Sequence, residues 1–332
     1  MKALVTGGGG FLGGTIVRQL RERGDSVRSF ARGDYPALHK MGVEAIRGDL
    51  VDAEAVHRAI DGVDVVFHVA ALAGVWGPVA HFERVNVSGT RNVIDGCRAA
   101  GVDRLVFTST PSVVYGDAGI EGGDESLPYP SNFLAAYPRT KAQAEQLVLA
   151  AHGEDLRTTA LRPHLMIGVG DPHLAPRLVA RARQGRLKRI GLDPCKVDWT
   201  HVDDAARAHL LAADRLASDG APGGNAYFIT QGAPLPVWEL VNRILAAAGV
   251  APVEAVISER LAYVVGSVCE FAYGMLGRRT EPPMTRFVAK QLSTPHWFDI
   301  SAARRDLGYD PQTTLDDVLA LLGPWLKEER AS

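Results

Sequence analysis

Six residues into the chain, a glycine run separates a strand-like segment from a helix, and no other feature constrains the fold as strongly. Residues 2–6 read Lys-Ala-Leu-Val-Thr, Gly7-Gly8-Gly9-Gly10-Phe11-Leu12-Gly13 follows, and helical periodicity then holds over residues 11–23. Gly7, Gly10 and Gly13 have the spacing that permits a tight turn, close approach of backbone N–H groups to a pyrophosphate, and tight packing of helix on strand. The phosphates of a dinucleotide would lie at the helix N-terminus, beside Gly7, Gly10, Phe11 and Leu12.

The strand–turn–helix unit recurs through the first half. Short runs rich in β-branched residues at 2–6, 27–31, 44–47, 65–69, 105–108 and 158–161 read as strands, with helical patterns at 11–23, 53–60, 82–99 and 137–151 between them. Such alternation builds a parallel sheet with helices on both faces, and ligands then sit beyond the carboxyl ends of the strands. The second half is less regular, with helical patterns at 174–184, 202–216 and 237–248 and punctuation at Asp193-Pro194, 220–224 and Glu281-Pro282-Pro283. At 332 residues the chain is long enough for one large unit with an appended cap. The expected fold class is therefore α/β, a Rossmann-type doubly wound parallel sheet with a smaller, discontinuous C-terminal substrate cap. Residues 1–165 would form the dinucleotide-binding domain, joined by a returning segment at about 197–232, and residues 166–196 and 233–332 would form the cap.

Charge narrows the partners. Lysine plus arginine number 36 against 38 for aspartate plus glutamate, a formal charge of -2, so the long-range field that draws proteins to nucleic acid is missing. Cys97, Cys195 and Cys269 are far apart, with neither a disulfide framework nor zinc spacing, so no metal is expected. The N-terminus turns glycine-rich too soon to build a signal peptide. A cytoplasmic location is the expectation.

The end of the second strand discriminates between nicotinamide cofactors, because a carboxylate there accepts from a ribose 2′-OH and repels a 2′-phosphate. Here Ala31 takes that place and Arg32 follows, which favours NADP(H) over NAD(H), with Arg32 on the phosphate. Asp49-Leu50 after the third strand would meet the adenine edge. Ala70, just after the fourth strand, borders the expected path of the dinucleotide. His68 in the same apolar strand reads as a satisfied core histidine and carries no assigned chemistry.

Tyr137-Pro138-Arg139-Thr140-Lys141 opens a helix, and Thr108-Ser109-Thr110-Pro111-Ser112 ends the fifth strand. Four residues apart, phenol and ammonium share one helix face. Reducing a ketone by hydride transfer requires a proton at the developing alkoxide. A phenol serves if a neighbouring cation stabilises its phenolate, and Lys141 is that cation. A hydroxyl from the strand end would hold the carbonyl in line; Thr110 is the first choice, with Ser109 and Ser112 close by.

Taken together, residues 6–13, Asp49-Leu50, Asn86 in Val85-Asn86-Val87-Ser88-Gly89-Thr90, the 108–112 hydroxyls, Tyr137/Lys141, Arg162-Pro163 and Trp199-Thr200-His201-Val202-Asp203-Asp204 resemble an extended short-chain dehydrogenase/reductase over nearly the whole chain. Within that superfamily the sequence is similar to the 3β-hydroxysteroid dehydrogenase branch. Residues 281–287 and Ser293-Thr294-Pro295-His296-Trp297 are similar to bacterial 2-alkyl-3-oxoalkanoate reductases of olefin biosynthesis. That resemblance implies NADPH-dependent reduction of a long-chain β-keto acid, supplied by a condensing enzyme and passed to a β-lactone synthetase, with Pro163 beside the cofactor. Thr110 stands where many relatives carry serine. Other readings are a 3β-hydroxysteroid dehydrogenase, a nucleotide-sugar epimerase with the same Tyr/Lys pair, and an NADP-sensing binding protein, which would not need that pair.

Residues 261–277 contain a single charge, Glu270. Three readings compete: a buried or lid helix of the cap, an apolar wall or portal for alkyl chains, and a surface-seated peripheral membrane contact. The basic stretch Arg181, Arg183, Arg186, Lys188, Arg189 reads first as a solvated helix face and loop, with contact to a carboxylate or an acyl carrier as the other reading.

Overall fold

A computed structural model describes residues 1–116, 118–192 and 194–328; Asp193, half of one expected turn, lies outside them. Seven parallel strands form the central sheet: β1 (Lys2–Thr6), β2 (Ser26–Ala31), β3 (Glu44–Arg47), β4 (Val65–His68), β5 (Arg104–Thr108), β6 (Arg157–Pro163) and β7 (Ala226–Ile229). Their order across the sheet is β7-β6-β5-β4-β1-β2-β3. From β1 the chain winds one way to β2 and β3 and the other way from β4 onward, so the crevice of a doubly wound fold lies beyond the carboxyl ends of β1 and β4.

The inner strands β1, β4 and β5 are mostly apolar because both of their faces are covered, whereas the edge strand β3 is largely exposed. Ala3 and Val5 pack under Ile16, Val17 and Leu20 of the helix Phe11–Glu22 and under the alanine-rich helix Val202–Ser218. On the opposite face Leu4, Val66 and Phe107 meet the helices Ala53–Ile60, Gly89–Ala100 and Ala136–Ala150. The helix expected over residues 82–99 is interrupted. A short turn Val79–Phe82 runs into wider π-type turns at Glu83–Ser88 before Gly89–Ala100 resumes the α geometry. Such insertions collect at functional sites, and this one carries the buried Asn86.

The cap packs the helices Ala175–Arg183, Val237–Ala247, Glu259–Met275, Arg286–Gln291 and Leu315–Glu328 around a separate apolar cluster that includes Trp199 and Trp238. A four-stranded sheet joins cap to core, in the order Leu235–Pro236, Lys196–Val197, His296–Phe298, Ile120–Gly123. Two stretches cross the division drawn from sequence. Residues 120–123 pair with the cap strand 296–298, and Ile300, Ala303, Leu307 and Tyr309 pack into the core beside β7.

Residues 261–277 fall within and just after the helix Glu259–Met275, of which only Ala262 and Gly266 are buried. The reading of this segment as a buried helix is thereby corrected: packing uses one edge and leaves the rest to solvent. Among the described residues no helix is long and apolar enough to cross a membrane.

Candidate active site

Two glycines show why the first turn has the sequence it has. Gly7 adopts φ +73°, in the left-handed region, and a Cβ there would come within 3.1 Å of the Ala70 backbone. At Gly13 a Cβ would stand 2.1 Å from the Gly7 carbonyl oxygen, so any larger residue separates helix from strand. The first N–H groups of the helix Phe11–Glu22 have no partner within it and border a groove of about 840 Å³.

That groove passes Gly7, Gly10, Phe11 and Leu12, then Arg32, Asp49, Leu50 and Ala70, and continues to Thr110, Tyr137, Lys141 and Pro163. Every residue singled out from sequence as catalytic or cofactor-binding borders this one space. The cradle fits a dinucleotide: backbone left bare by glycine at one end, Tyr137 and Lys141 at the other. Arg32 is exposed, its carbonyl accepts from Arg47 Nε at 2.9 Å, and Arg47 pairs in register with Ala31. Among the described residues no group of three or more His, Cys, Asp or Glu side chains is placed to hold a metal ion.

The helix Ala136–Ala150 sets Tyr137 one turn before Lys141. Lys141 is 2% exposed, donates from Nζ to the Thr108 carbonyl at 2.5 Å and lies 3.9 Å from the Phe107 ring centroid. Burial pulls its pKa down to about 7, while the Glu145 carboxylate one turn further on pulls it back up. Glu145 itself is fully buried against Arg162, at 2.6 Å. The Tyr137 ring is only half-buried, but dry surroundings push its phenol up to about 12, with the Thr110 hydroxyl acting in the opposite direction. Sequence reasoning expects the amine to ease ionisation of the phenol. In the structure desolvation is the leading cause of both shifts and Lys141 is not among the causes at the phenol, so near neutrality the phenol is protonated and the amine is titrating.

The three hydroxyls of the β5 exit separate. Thr110 stands by Tyr137 and lines the groove. Ser112 sits behind it, at 2.9 Å from Oγ to Oγ1, and Ser109 also borders the groove, buried and with no partner for its hydroxyl, but only Thr110 reaches the Tyr137 phenol. His68 is buried, with Nδ1 at 2.9 Å from Thr6 Oγ1 and Nε2 at 2.9 Å from Thr90 Oγ1. Burial lowers it to about 3, leaving a neutral structural residue.

Several wall residues escaped the sequence reading of roles. Tyr35 lines the groove with its ring over the glycine turn, where a Cβ on Gly9 would fall 2.2 Å from Cδ2. The sole trace in the sequence is that Gly8 and Gly9 exceed what a phosphate turn needs. Leu165, with φ +36° an unusual backbone for leucine, and His173 form the wall opposite. Asn86 acts from behind the groove. It accepts from Leu72 N at 2.8 Å, donates to Leu72 O at 3.1 Å, and donates to Thr140 Oγ1 at 3.1 Å, fixing the loop after β4 to the Tyr137 helix. Asn86→Ala is expected to cost about 2–3 kcal/mol of stability and to loosen cofactor binding. A thermal melt with and without dinucleotide measures both, and an unchanged melt would contradict the clamp.

A parallel sheet, a glycine turn at its switch point and a Tyr-x-x-x-Lys helix closing the same groove define an oxidoreductase of the extended short-chain dehydrogenase/reductase class, whose members use a nicotinamide cofactor. The chain belongs to the 3-beta hydroxysteroid dehydrogenase/isomerase family, whose sequence profile matches residues 4–258. A 2-alkyl-3-oxoalkanoate reductase of Stenotrophomonas maltophilia is 52% identical over 324 residues, covering 97% of this chain and 98% of the relative. One of Shewanella oneidensis is 46% identical over 324 residues, covering 95% and 84%. Among solved structures, MoeE5 in complex with UDP-glucose and NAD superposes with a TM-score of 0.76 over 99% of this chain and 100% of that one, at 29% identity.

Proposed function

We propose that this protein uses NADPH to reduce the 3-keto group of a long-chain 2-alkyl-3-oxoalkanoate to the 2-alkyl-3-hydroxyalkanoate. The observation that carries the substrate class is a second cavity, about 270 Å³, that shares Leu165 and His173 with the groove. Its walls are mostly aliphatic, among them Leu174, Leu178, Leu187, Val237, Leu240 and Ile244, with Arg181, Gln291, His296 and the Arg177–Glu281 ion pair at 2.6 Å also bordering it. Each buried methylene contributes about 0.8 kcal/mol, so such a cavity holds an alkyl chain without polar contacts and gives a sugar diphosphate little. The named reductases of similar sequence support the same reading.

When bound, the nicotinamide supplies a hydride, two electrons and one hydrogen, to C3 of the ketone. Tyr137 donates its phenolic proton to the carbonyl oxygen, Thr110 hydrogen-bonds that oxygen, and Lys141 stabilises the phenolate left behind. A condensing enzyme would supply the keto acid and a β-lactone synthetase would consume the product. A steroid ketone is the second reading, favoured by the family and by the apolar cavity.

Incubation with NADPH and either a 2-alkyl-3-oxo acid or a steroid ketone, with the product identified by mass, tests this assignment. Turnover of the keto acid to its 3-hydroxy product is expected; cofactor consumption with the steroid alone would overturn it, and consumption with neither would return the epimerase or sensor. Arg32→Ala is expected to weaken NADPH by about 10- to 100-fold and NADH by less than about threefold. Equal losses in titrations of both cofactors would remove the 2′-phosphate argument.

A further inference from the structure

The helix Glu259–Met275 lines neither the groove nor the adjoining cavity, so the wall reading of this segment does not account for it. Its outward face carries Leu261, Val264, Val265, Val268, Phe271 and Met275, at the spacing of a single helical stripe. Phe271 is 71% and Met275 75% exposed. A contiguous apolar face of this kind is rare on a monomer without a use. No charged side chain stands within it: Glu270 turns inward to Arg286 at 2.7 Å, and Glu259 lies against Gly191.

The ends of the stripe are cationic. Arg260 is exposed at one end, near the Arg189–Ile190 strand that pairs with Val256–Ile257 and brings Arg186 and Lys188 with it; Glu254 and Glu259 are the acids at this end. Arg278 and Arg279 are exposed at the other end, where Trp76 Nε1 donates to the Arg278 carbonyl at 3.0 Å and the Tyr273 and Trp76 rings meet edge-on at 6.4 Å. Amphipathic aromatics beside arginine are the side chains that settle at a lipid headgroup boundary.

We propose that this face docks the protein on an anionic bilayer, with the apolar stripe in the acyl boundary and the arginines among the headgroups. A second copy docked by a twofold would set arginine ends against each other whichever way the helices cross, whereas anionic headgroups neutralise them. The surface is also coupled to the site. Gly266 packs on the backbone of Thr285 and Arg286, whose helix supplies Val288 and Gln291 to the aliphatic cavity, and Val75 beside Trp76 lines the same cavity. Docking thus puts an apolar substrate dissolved in the bilayer one helix away from the cavity. That consequence rests on the substrate assigned above; the docking does not.

Flotation of the full chain with phosphatidylcholine vesicles, with and without phosphatidylglycerol, tests the proposal. The protein is expected to float with the anionic vesicles. F271E/M275E is expected to lower the partition coefficient on the order of 100-fold. R278A/R279A is expected to lower it roughly 30-fold at low salt, on anionic vesicles only. Reduction of a short, soluble 3-oxo acid stays unchanged in both variants, which shows that they fold. A wild-type chain that does not float, or F271E/M275E floating equally well, overturns the docking. So does sedimentation velocity in which F271E/M275E splits a dimer that never floats, which would give the face to a second copy. A chain that floats but reduces no keto acid retires the substrate and leaves the docking standing.

Discussion

Tyr137→Phe is expected to lower kcat for ketone reduction on the order of 1000-fold while the dinucleotide Kd stays within about threefold. The change deletes one oxygen from a half-buried ring and leaves the glycine turn, Arg32 and Lys141 in place. With the phenol raised to about 12 by burial, the free site holds its proton across the physiological range. An acid that weak donates only as negative charge develops on the substrate oxygen, so its loss falls on the chemical step. Stopped-flow turnover beside a fluorescence titration separates the two quantities. Unchanged turnover would exclude Tyr137 as the donor, and a parallel loss of cofactor affinity would make it a binding residue.

Lys141→Met is expected to cost about 100- to 1000-fold in kcat/KM and to remove a pH dependence. A base lowered to about 7 is charged below that pH and neutral above it. If the ammonium stabilises the phenolate, kcat/KM of the wild-type enzyme falls as pH rises through about 7, and the fall reports the free enzyme. The methionine variant has no proton to lose there, so its low activity stays flat across the same range. It also leaves the Thr108 carbonyl without its 2.5 Å donor, so a melting curve is needed alongside the rates. A fall near the same pH in Lys141→Met would assign it to another group.

What the sequence made legible was local. The glycine motif is seven contiguous residues running from the end of a strand into a helix, and Tyr137 and Lys141 are one helical turn apart, so spacing alone brings their chemistry together. Thr110 was separable from Ser109 and Ser112 only once the path of the chain leaving β5 was known. Asn86 gave no sign of its reach because the π-type turns that aim it interrupt the 3.6-residue period. Tyr35 covers Gly9 from a loop with no regular pattern. The Ile120–Gly123 strand is short and glycine-rich, and its partner His296–Phe298 is far along the chain. The aliphatic cavity is likewise assembled from helices well separated in sequence, each of which reads as ordinary cap helix by itself.

Deuterium transfer tests the central claim most directly. Starting from NADPH labelled on the transferred face of its nicotinamide and a 2-alkyl-3-oxo acid, the wild-type protein is predicted to give a 3-hydroxy acid carrying one deuterium at C3, and Tyr137→Phe is predicted to give almost none in the same time. A hydroxy acid without the label, or full labelled turnover by the phenylalanine variant, would contradict the account.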